Sequence, residues 1–330
     1  MANKHPSYIK NTYEFISKIK NREIPPEALL VTADITSLYT NMRKDLIIKA
    51  VIKQMVLNPV ENRPDIEILK LLEYTMDHND FEFNNEFFLQ IFGLAMGKTY
   101  SPNIANIYLI DFDEQAMHDF KINPKFYHRF QDDTFFVWIG SLEDLLQYET
   151  FLNSLIPDIK LTFNYSYSKV NFLDVTIYKK WTDEKCLLQH RTYFKETDTH
   201  QLLYYYSHHP KHIFRGIIKS QFIRFKRLSS ILEDYNVTCN FVLPILYKRG
   251  YPKRLMRKLK IETWNSPIIP RNIMNVKNSL FITLPYNKTS QSIMELWKCL
   301  VEKHPQFKNT KIVKAFYNNK NLYKYLIRNN

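Results

Sequence analysis

The chain predicts an α+β fold, with an antiparallel sheet backed by helices and followed by a helical, basic segment. Three observations carry that prediction. Apolar runs of strand length end on carboxylates, at residues 29–31 before Asp34 and around Asp132-Asp133. Segments of helical apolar period lie between and behind those runs. The charge is lopsided: 46 Lys+Arg stand against 33 Asp+Glu, a net +13, and most of the surplus falls in one stretch.

Taken in order, Leu29, Leu30 and Val31 lead as a strand into Asp34-Ile35-Thr36-Ser37-Leu38-Tyr39. Helices follow over 44–56 and 65–77. Phe81-Glu82-Phe83 and Phe87-Phe88-Leu89 flank Asn84-Asn85 as a hairpin. Residues 93–106, Gly-Leu-Ala-Met-Gly-Lys-Thr-Tyr-Ser-Pro-Asn-Ile-Ala-Asn, form a loop turning into a helix, with Ser101 as N-cap and Pro102 in the first turn. Next, Asp132 and Asp133 sit at the tip of a hairpin between Phe126-Tyr127-His128-Arg129-Phe130 and Thr134-Phe135-Phe136-Val137-Trp138. A helix over 142–155 and strands over 161–165 and 172–179 complete this part. Towards the end, Ile293, Met294, Leu296, Trp297, Leu300 and Val301 mark one amphipathic helix.

Adjacent carboxylates at a tight turn repel unless a cation lies between them. Brought together at strand ends, Asp34, Asp132 and Asp133 form an oxygen-lined site suited to Mg²⁺. Two such ions serve in-line phosphoryl displacement. Taken singly, Asp34 also reads as a helix N-cap, and Asp-Asp as ordinary turn chemistry. The segment between them adds weight. The chain holds only 5 glycines, and Gly93 and Gly97 stand four residues apart, where a glycine lets backbone approach a ligand closely.

From 203 to 260 there are 13 Lys/Arg against Glu233 and Asp234, 13 − 2 = +11. Phe214, Ile218, Phe222, Phe225, Leu228 and Leu232 recur at helical spacing as an apolar stripe, with Lys211, Arg215, Lys219 and Lys226 beside it. A one-sign face of this kind suits phosphate contact. Cys186, Cys239 and Cys299 are odd in number and far apart, so they imply no disulfide framework. Zinc on Cys186, His190, His208, His209 and His212 is disfavoured without a paired Cys-x-x-Cys. Residues 1–12 lack an apolar signal segment, and no run approaches the ~18 residues that cross a membrane. The nucleus or cytosol is the expected location.

The ordered set Asp-x-x-Ser-Leu-Tyr-Thr-Asn, Gly-x-Ala-Met-Gly-x-x-x-Ser-Pro-x-x-Ala-Asn and Arg-Phe-x-Asp-Asp resembles motifs A, B and C of reverse transcriptases, in the variant of Penelope-like retroelements. Asn171-Phe172-Leu173-Asp174-Val175 resembles the segment after that family's palm. His209-Pro210 and 220–230 resemble its thumb, and Lys320-Asn321-Leu322-Tyr323-Lys324-Tyr325-Leu326 its connector. The resemblance implies a right-hand polymerase with a partial fingers and palm region over 1–200, a basic thumb over 201–262 and a connector over 263–330. Only 33 residues precede Asp34, fewer than the family's fingers, and Asn330 falls about where a GIY-YIG endonuclease would begin. Gln131 and Lys98 depart from the family's usual residues without removing a metal ligand.

By the same resemblance, Asp34, Asp132 and Asp133 are catalytic and hold two Mg²⁺ ions, with Mn²⁺ able to substitute and the Ile35 carbonyl an added ligand. Tyr39, Gly97, Ser101 and Pro102 contact the nucleotide, with Tyr39 as a steric gate under the sugar. Lys211, Arg215, Lys219, Lys226 and Arg227 hold nucleic acid; Lys169 matches a lysine near the departing pyrophosphate in reverse transcriptases, but a solvated lysine is the favoured reading. The expected partners are an RNA template, a DNA primer and dNTPs. The rival class is a non-catalytic nucleic-acid-binding protein derived from such an enzyme. An unrelated metal-dependent phosphatase or nuclease leaves Tyr39 and the Gly97 loop without a role.

Overall fold

The computed structural model describes residues 2–182, 184–268, 279–287, 290 and 292–317. The chain divides into two compact units, Met1–Thr199 with Phe225–Thr238, and His200–Arg224 with Cys239–Asn330.

The first unit is built on a four-stranded antiparallel sheet. Its strands are β1 (Leu29–Thr36), β4 (Lys125–Phe130), β5 (Asp133–Trp138) and β6 (Lys160–Ser166), in the order β4-β5-β1-β6. Because side chains alternate across a strand, β1 has two buried faces. Leu29, Val31, Ala33 and Ile35 pack on one side with Phe136, Trp138 and Leu161, against α3 (Lys44–Leu57), α5 (Ser101–Tyr108), α6 (Ile110–His118) and α7 (Leu142–Leu155). Leu30, Phe135 and Val137 pack on the other, against α1 (Thr12–Ile19) and a second antiparallel sheet of β7 (Lys169–Phe172), β8 (Val175–Thr182) and β9 (Lys185–Thr192).

Outer edges are paired by the N-terminal segment. The Arg129 N–H donates to the Ser7 carbonyl at 2.7 Å, and the Ile9 N–H to the Arg129 carbonyl at 3.1 Å, so this segment lies along β4. Farther on, the Ile24 N–H donates to the Cys186 carbonyl at 3.0 Å, which covers β9. Both pairings satisfy backbone groups that an open sheet edge leaves bare.

Most expected elements form. α3 extends one residue beyond the expected helix, while α4 (Asp65–Asp77) and α7 match theirs. β2 (Asp80–Phe83) and β3 (Glu86–Leu89) make the hairpin, with Asn84 and Asn85 both left-handed at φ 53° and 62°. Asparagine tolerates that region better than most residues, and two such positions in succession make a type I′ turn. The expected strand over 172–179 is corrected. Leu173, at φ 50°, turns the chain there, so β7 ends at Phe172 and β8 starts at Val175. The Ser101 helix also breaks, at Leu109, into α5 and α6.

The second unit takes its fold from α8 (Lys211–Arg227), α9 (Leu232–Lys248) and α10 (Lys253–Asn265), although α8 ends and α9 begins within the first unit. Phe214, Ile218 and Phe222 are buried along α8 as the stripe predicts. Tyr205 packs on Phe214 and Tyr251, with ring centroids 5.1 and 5.2 Å apart. β10 (Ser279–Pro285) and β11 (Lys311–Tyr317) pair in parallel, with α11 (Ile293–Lys303), the expected amphipathic helix, between them in sequence. The connector-like residues 320–326 lie outside the described residues. Among the described residues, no helix is long and apolar enough to cross a membrane.

Candidate functional site

The buried face of β1 and β5 turns from apolar to acidic at one end. Leu30 and Phe135 are fully buried, and the same alternation brings Asp34 and Asp133 to that face as cross-strand partners. Such partners have Cβ atoms roughly 4.5–5.5 Å apart. Asp132 stands beside them in the turn. It is held there by its own carbonyl, which accepts the Ile35 N–H at 3.2 Å. The expected acid pair at the tip is refined: the turn residues are Gln131 and Asp132, and Asp133 opens β5. Gln131 takes a left-handed φ of 55°, a conformation that costs a residue with a Cβ.

The three carboxylates act on one another. Burial, then Asp132 and Asp34, push the Asp133 carboxyl up to about 6 against the opposing charge of Lys195. Burial and Asp132 raise Asp34 as well. An all-oxygen, mutually repelling set is the donor chemistry that a hard divalent cation favours. Among the described residues, however, no three His, Cys, Asp or Glu side chains converge closely enough to ligate one ion. Asp34 is exposed and the other two are half-buried.

Tyr39 joins this end through the backbone. Ser37, left-handed at φ 53°, reverses the chain after β1 and starts the short helix α2 (Leu38–Asn41). Leu38 is buried as its anchor, and Tyr39 is half-buried beside it. Burial and the charge of Asp132 both raise the Tyr39 phenol, which brings the ring into the field of the carboxylates.

The glycine loop is tied to the same turn. The Leu94 N–H donates to the Tyr39 carbonyl at 2.7 Å. Gly93 has φ +79°, and a Cβ there would lie 2.8 Å from the Thr40 Cα and from two carbonyl oxygens. Only a glycine fits that approach. Gly97, at φ +89°, faces open space instead, so its bare backbone is available to a ligand. Ser101 is corrected as the N-cap: Tyr100 holds that position, while the buried Ser101 hydroxyl donates to the Ala95 carbonyl at 2.6 Å. It braces the loop from inside, with Pro102 half-buried after it.

One buried network, not marked in the sequence, fixes the acidic turn. Arg129 is 2% exposed and Asp113 0%. The Arg129 Nε donates to both Asp113 oxygens at 2.9 Å, and its Nη1 to the Asn106 Oδ1 at 3.0 Å and the Gln131 carbonyl at 2.9 Å. Ser7 Oγ and Tyr127 Oη donate to Asp113 at 2.6 and 3.2 Å. The guanidinium thus joins α5, α6 and the turn that carries Asp132. Arg129 and Asn106 stood inside the quoted motifs; Asp113 carried no signal at all.

The basic residues separate. Lys211, Arg215 and Lys219 are exposed at intervals of four on α8, in a stripe beside the buried Phe214, Ile218 and Phe222. Arg215 Nη2 lies 3.5 Å from Glu262 of α10. Lys226 is half-buried, and the Arg227 guanidinium lies 5.4 Å from the Tyr13 ring centroid; both belong to the first unit. Lys169 is exposed at the start of β7. Cys186 and His190 are buried in β9, where His190 Nδ1 meets the Leu228 carbonyl at 3.1 Å.

Residues 201–260 match the model of an animal helix-turn-helix domain. No curated protein matches the chain. Among solved structures, telomerase from Candida albicans in complex with a fragment of telomeric RNA is 10% identical, with a TM-score of 0.48 over 79% of this chain and 50% of that one. Apo telomerase from Candida tropicalis is 11% identical, with a TM-score of 0.45 over 79% and 51%. The Sicinivirus RNA-dependent RNA polymerase is 12% identical, with a TM-score of 0.42 over 77% and 54%. The chain spans about half the length of each.

Proposed function

We propose that this chain is the RNA-directed DNA polymerase core of a Penelope-like retroelement, with a right-hand polymerase fold. The observation that carries the reading is the gathering of Asp34, Asp132 and Asp133 at one sheet end, with Tyr39 and the Gly93–Ser101 loop tethered to it. Asp34 and Asp132 would hold two Mg²⁺ ions, with Asp133 and the Ile35 carbonyl in support. When bound, such ions neutralise charge on the attacking and leaving oxygens of an in-line displacement.

The residues do the rest by position. The reaction is attack of a primer 3′-hydroxyl on the α-phosphate of a dNTP, with pyrophosphate leaving. Arg129 fixes the turn that carries Asp132. Gly97 leaves room for a nucleotide against bare backbone. The Tyr39 ring would exclude a 2′-hydroxyl, the group that separates ribonucleotides from deoxyribonucleotides. Lys211, Arg215 and Lys219 offer a phosphate-binding stripe for the template–primer duplex.

Single-nucleotide incorporation on RNA and DNA templates tests this. Wild type extends the primer with dNTPs, Asp132→Asn does not, and duplex binding survives in both. Tyr39→Ala raises ribonucleotide use relative to deoxyribonucleotide use. Equal extension by Asp132→Asn would remove the assignment, and an unchanged sugar ratio would remove the gate. The helix-turn-helix match over 201–260 favours a second reading, nucleic-acid binding without catalysis. It predicts duplex binding and no extension by wild type on any template.

A further inference from the structure

The second unit holds a cleft that none of the roles above uses. It lies between α9 and α10, has a volume of about 400 Å³, and is lined by Asn240, Leu243, Pro244, Tyr247, Met256 and Arg257, with Lys253 at its edge. No acidic side chain lines it. Its chemistry divides in three. Tyr247, 53% exposed, offers a ring face beside the apolar Leu243, Pro244 and Met256. The Lys253 Nζ sits 4.2 Å from that ring's centroid, and Arg257 is exposed one helical turn farther on.

Asn240 supplies the polar part. Pro244 stands inside α9 and has no N–H to give, so the Asn240 carbonyl lacks its regular helical donor. The Asn240 Oδ1 accepts from Lys260 Nζ at 3.1 Å, and that pairing leaves its amide N–H₂ as donor. A ring to stack on, a donor and an acceptor at the cleft, and two cations at its rim together match one nucleotide: base, base edge and phosphate.

We infer that this cleft binds an unpaired nucleotide of a single-stranded nucleic acid, with the base stacked on Tyr247 and the backbone phosphate held by Lys253 and Arg257. Stacking on an aromatic side chain tolerates every base, because each has a π face. A duplex cannot present that face without unstacking, so the cleft selects strand over duplex. The α8 stripe, which has exposed cations but no exposed Phe, Tyr or Trp among them, makes no such distinction. The inference goes beyond the polymerase reading and needs no catalysis.

Fluorescence anisotropy on the full chain, without nucleotide or divalent ion, tests it. The probes are labelled oligo-dT, oligo-rU and a blunt duplex of equal length. Tyr247→Ala should weaken binding of both single strands by about tenfold and leave the duplex within about twofold, while Tyr247→Phe keeps strand binding. Arg257→Gln should weaken the strands and reduce their salt dependence. Equal losses for strand and duplex would overturn the inference, as would unchanged strand binding by Tyr247→Ala. So would competition by polyglutamate as effective as that by unlabelled oligo-dT, which would mark an acidic-peptide site. Thymidine monophosphate competing at the strand's own concentration would mark a free-nucleotide site and overturn it equally.

Discussion

Two regions of this molecule handle like charge in opposite ways. At the end of β1 and β5, three carboxylates are crowded against a fully buried core, and burial with mutual repulsion pushes Asp133 up to about 6. Along α8, Lys211, Arg215 and Lys219 are spread in solvent one turn apart, and the apolar stripe of Phe214, Ile218 and Phe222 runs beside them. Crowded charge makes position decisive: each carboxylate has a place set by register, a turn or a buried guanidinium. Spread charge makes number decisive, since screened cations act on phosphate additively and nearly interchangeably.

The largest expected effect tests how firmly the crowded end is fixed. Arg129→Leu leaves Asp113 buried without its guanidinium, and losing one partner of such a pair costs about 3–5 kcal/mol. Chemical denaturation should register it, together with loss of nucleotide addition. A drop under about 1 kcal/mol, the range of an exposed pair, would mean that the network does not anchor the turn.

Next comes the loop. Gly93→Ala meets both a left-handed backbone and a 2.8 Å clash with Thr40, whereas Gly97→Ala meets only the first. The Gly97 change should cost about 1 kcal/mol and the Gly93 change at least about twice that. Equal thermal shifts would show that the Tyr39–Leu94 tether is not tight.

A smaller effect has the opposite sign. The folded Asp133 carboxyl titrates at about 6, above its ordinary 3.8, so its ionised form burdens the native state. That burden is absent below pH 4, grows through the window from 4 to 6 and is complete above it. Asp133→Asn should therefore stabilise the metal-free protein at pH 7.5 by about 1 kcal/mol after allowance for solvent screening, and by nothing near pH 3.5. Melting curves at the two pH values check this, and a destabilised variant at pH 7.5 would contradict the crowding.

The smallest effects belong to the spread charges. Replacing Lys211, Arg215 and Lys219 by Ala should weaken duplex binding alike for many sequences. Each lost phosphate contact flattens the slope of log K against log salt by about 0.9. A loss concentrated in one of the three would make α8 resemble the carboxylate end, and the contrast would fail.

The sequence foretold these two regions unequally well. The carboxylates were legible because strand alternation and a hairpin put Asp34 and Asp133 on one face, and both rules are local. The stripe on α8 was legible for the same reason, in a period of 3.6. Asp113 was not, because a buried acid in an amphipathic helix looks like any polar-face residue until its guanidinium partner arrives from another element. Gly93 and Gly97 were picked out as a pair, but only the structure shows that one serves the chain's own backbone while the other faces open space. The turn at Leu173 was missed because a leucine rarely takes positive φ, and no glycine, asparagine or proline replaced it. The parallel pair β10 and β11 could not be read either, since alternation says nothing about which strand lies beside which.

β1 is one of the two inner strands of the sheet order β4-β5-β1-β6, yet it is the first of the four to be synthesised. Both of its neighbours come from beyond residue 130. At about 5–20 residues per second, on the order of ten seconds pass between the synthesis of β1 and that of β5. Through that interval Leu29, Leu30 and Val31 have no native strand to pair with, and their apolar run is open to wrong partners. Assembly of the carboxylate end is therefore a late, long-range event in the life of each new chain, with the slow closure that non-local pairing brings. A ribosome stalled before residue 133 would have made every residue of β1, Asp34 included, without the strand that Asp133 opens.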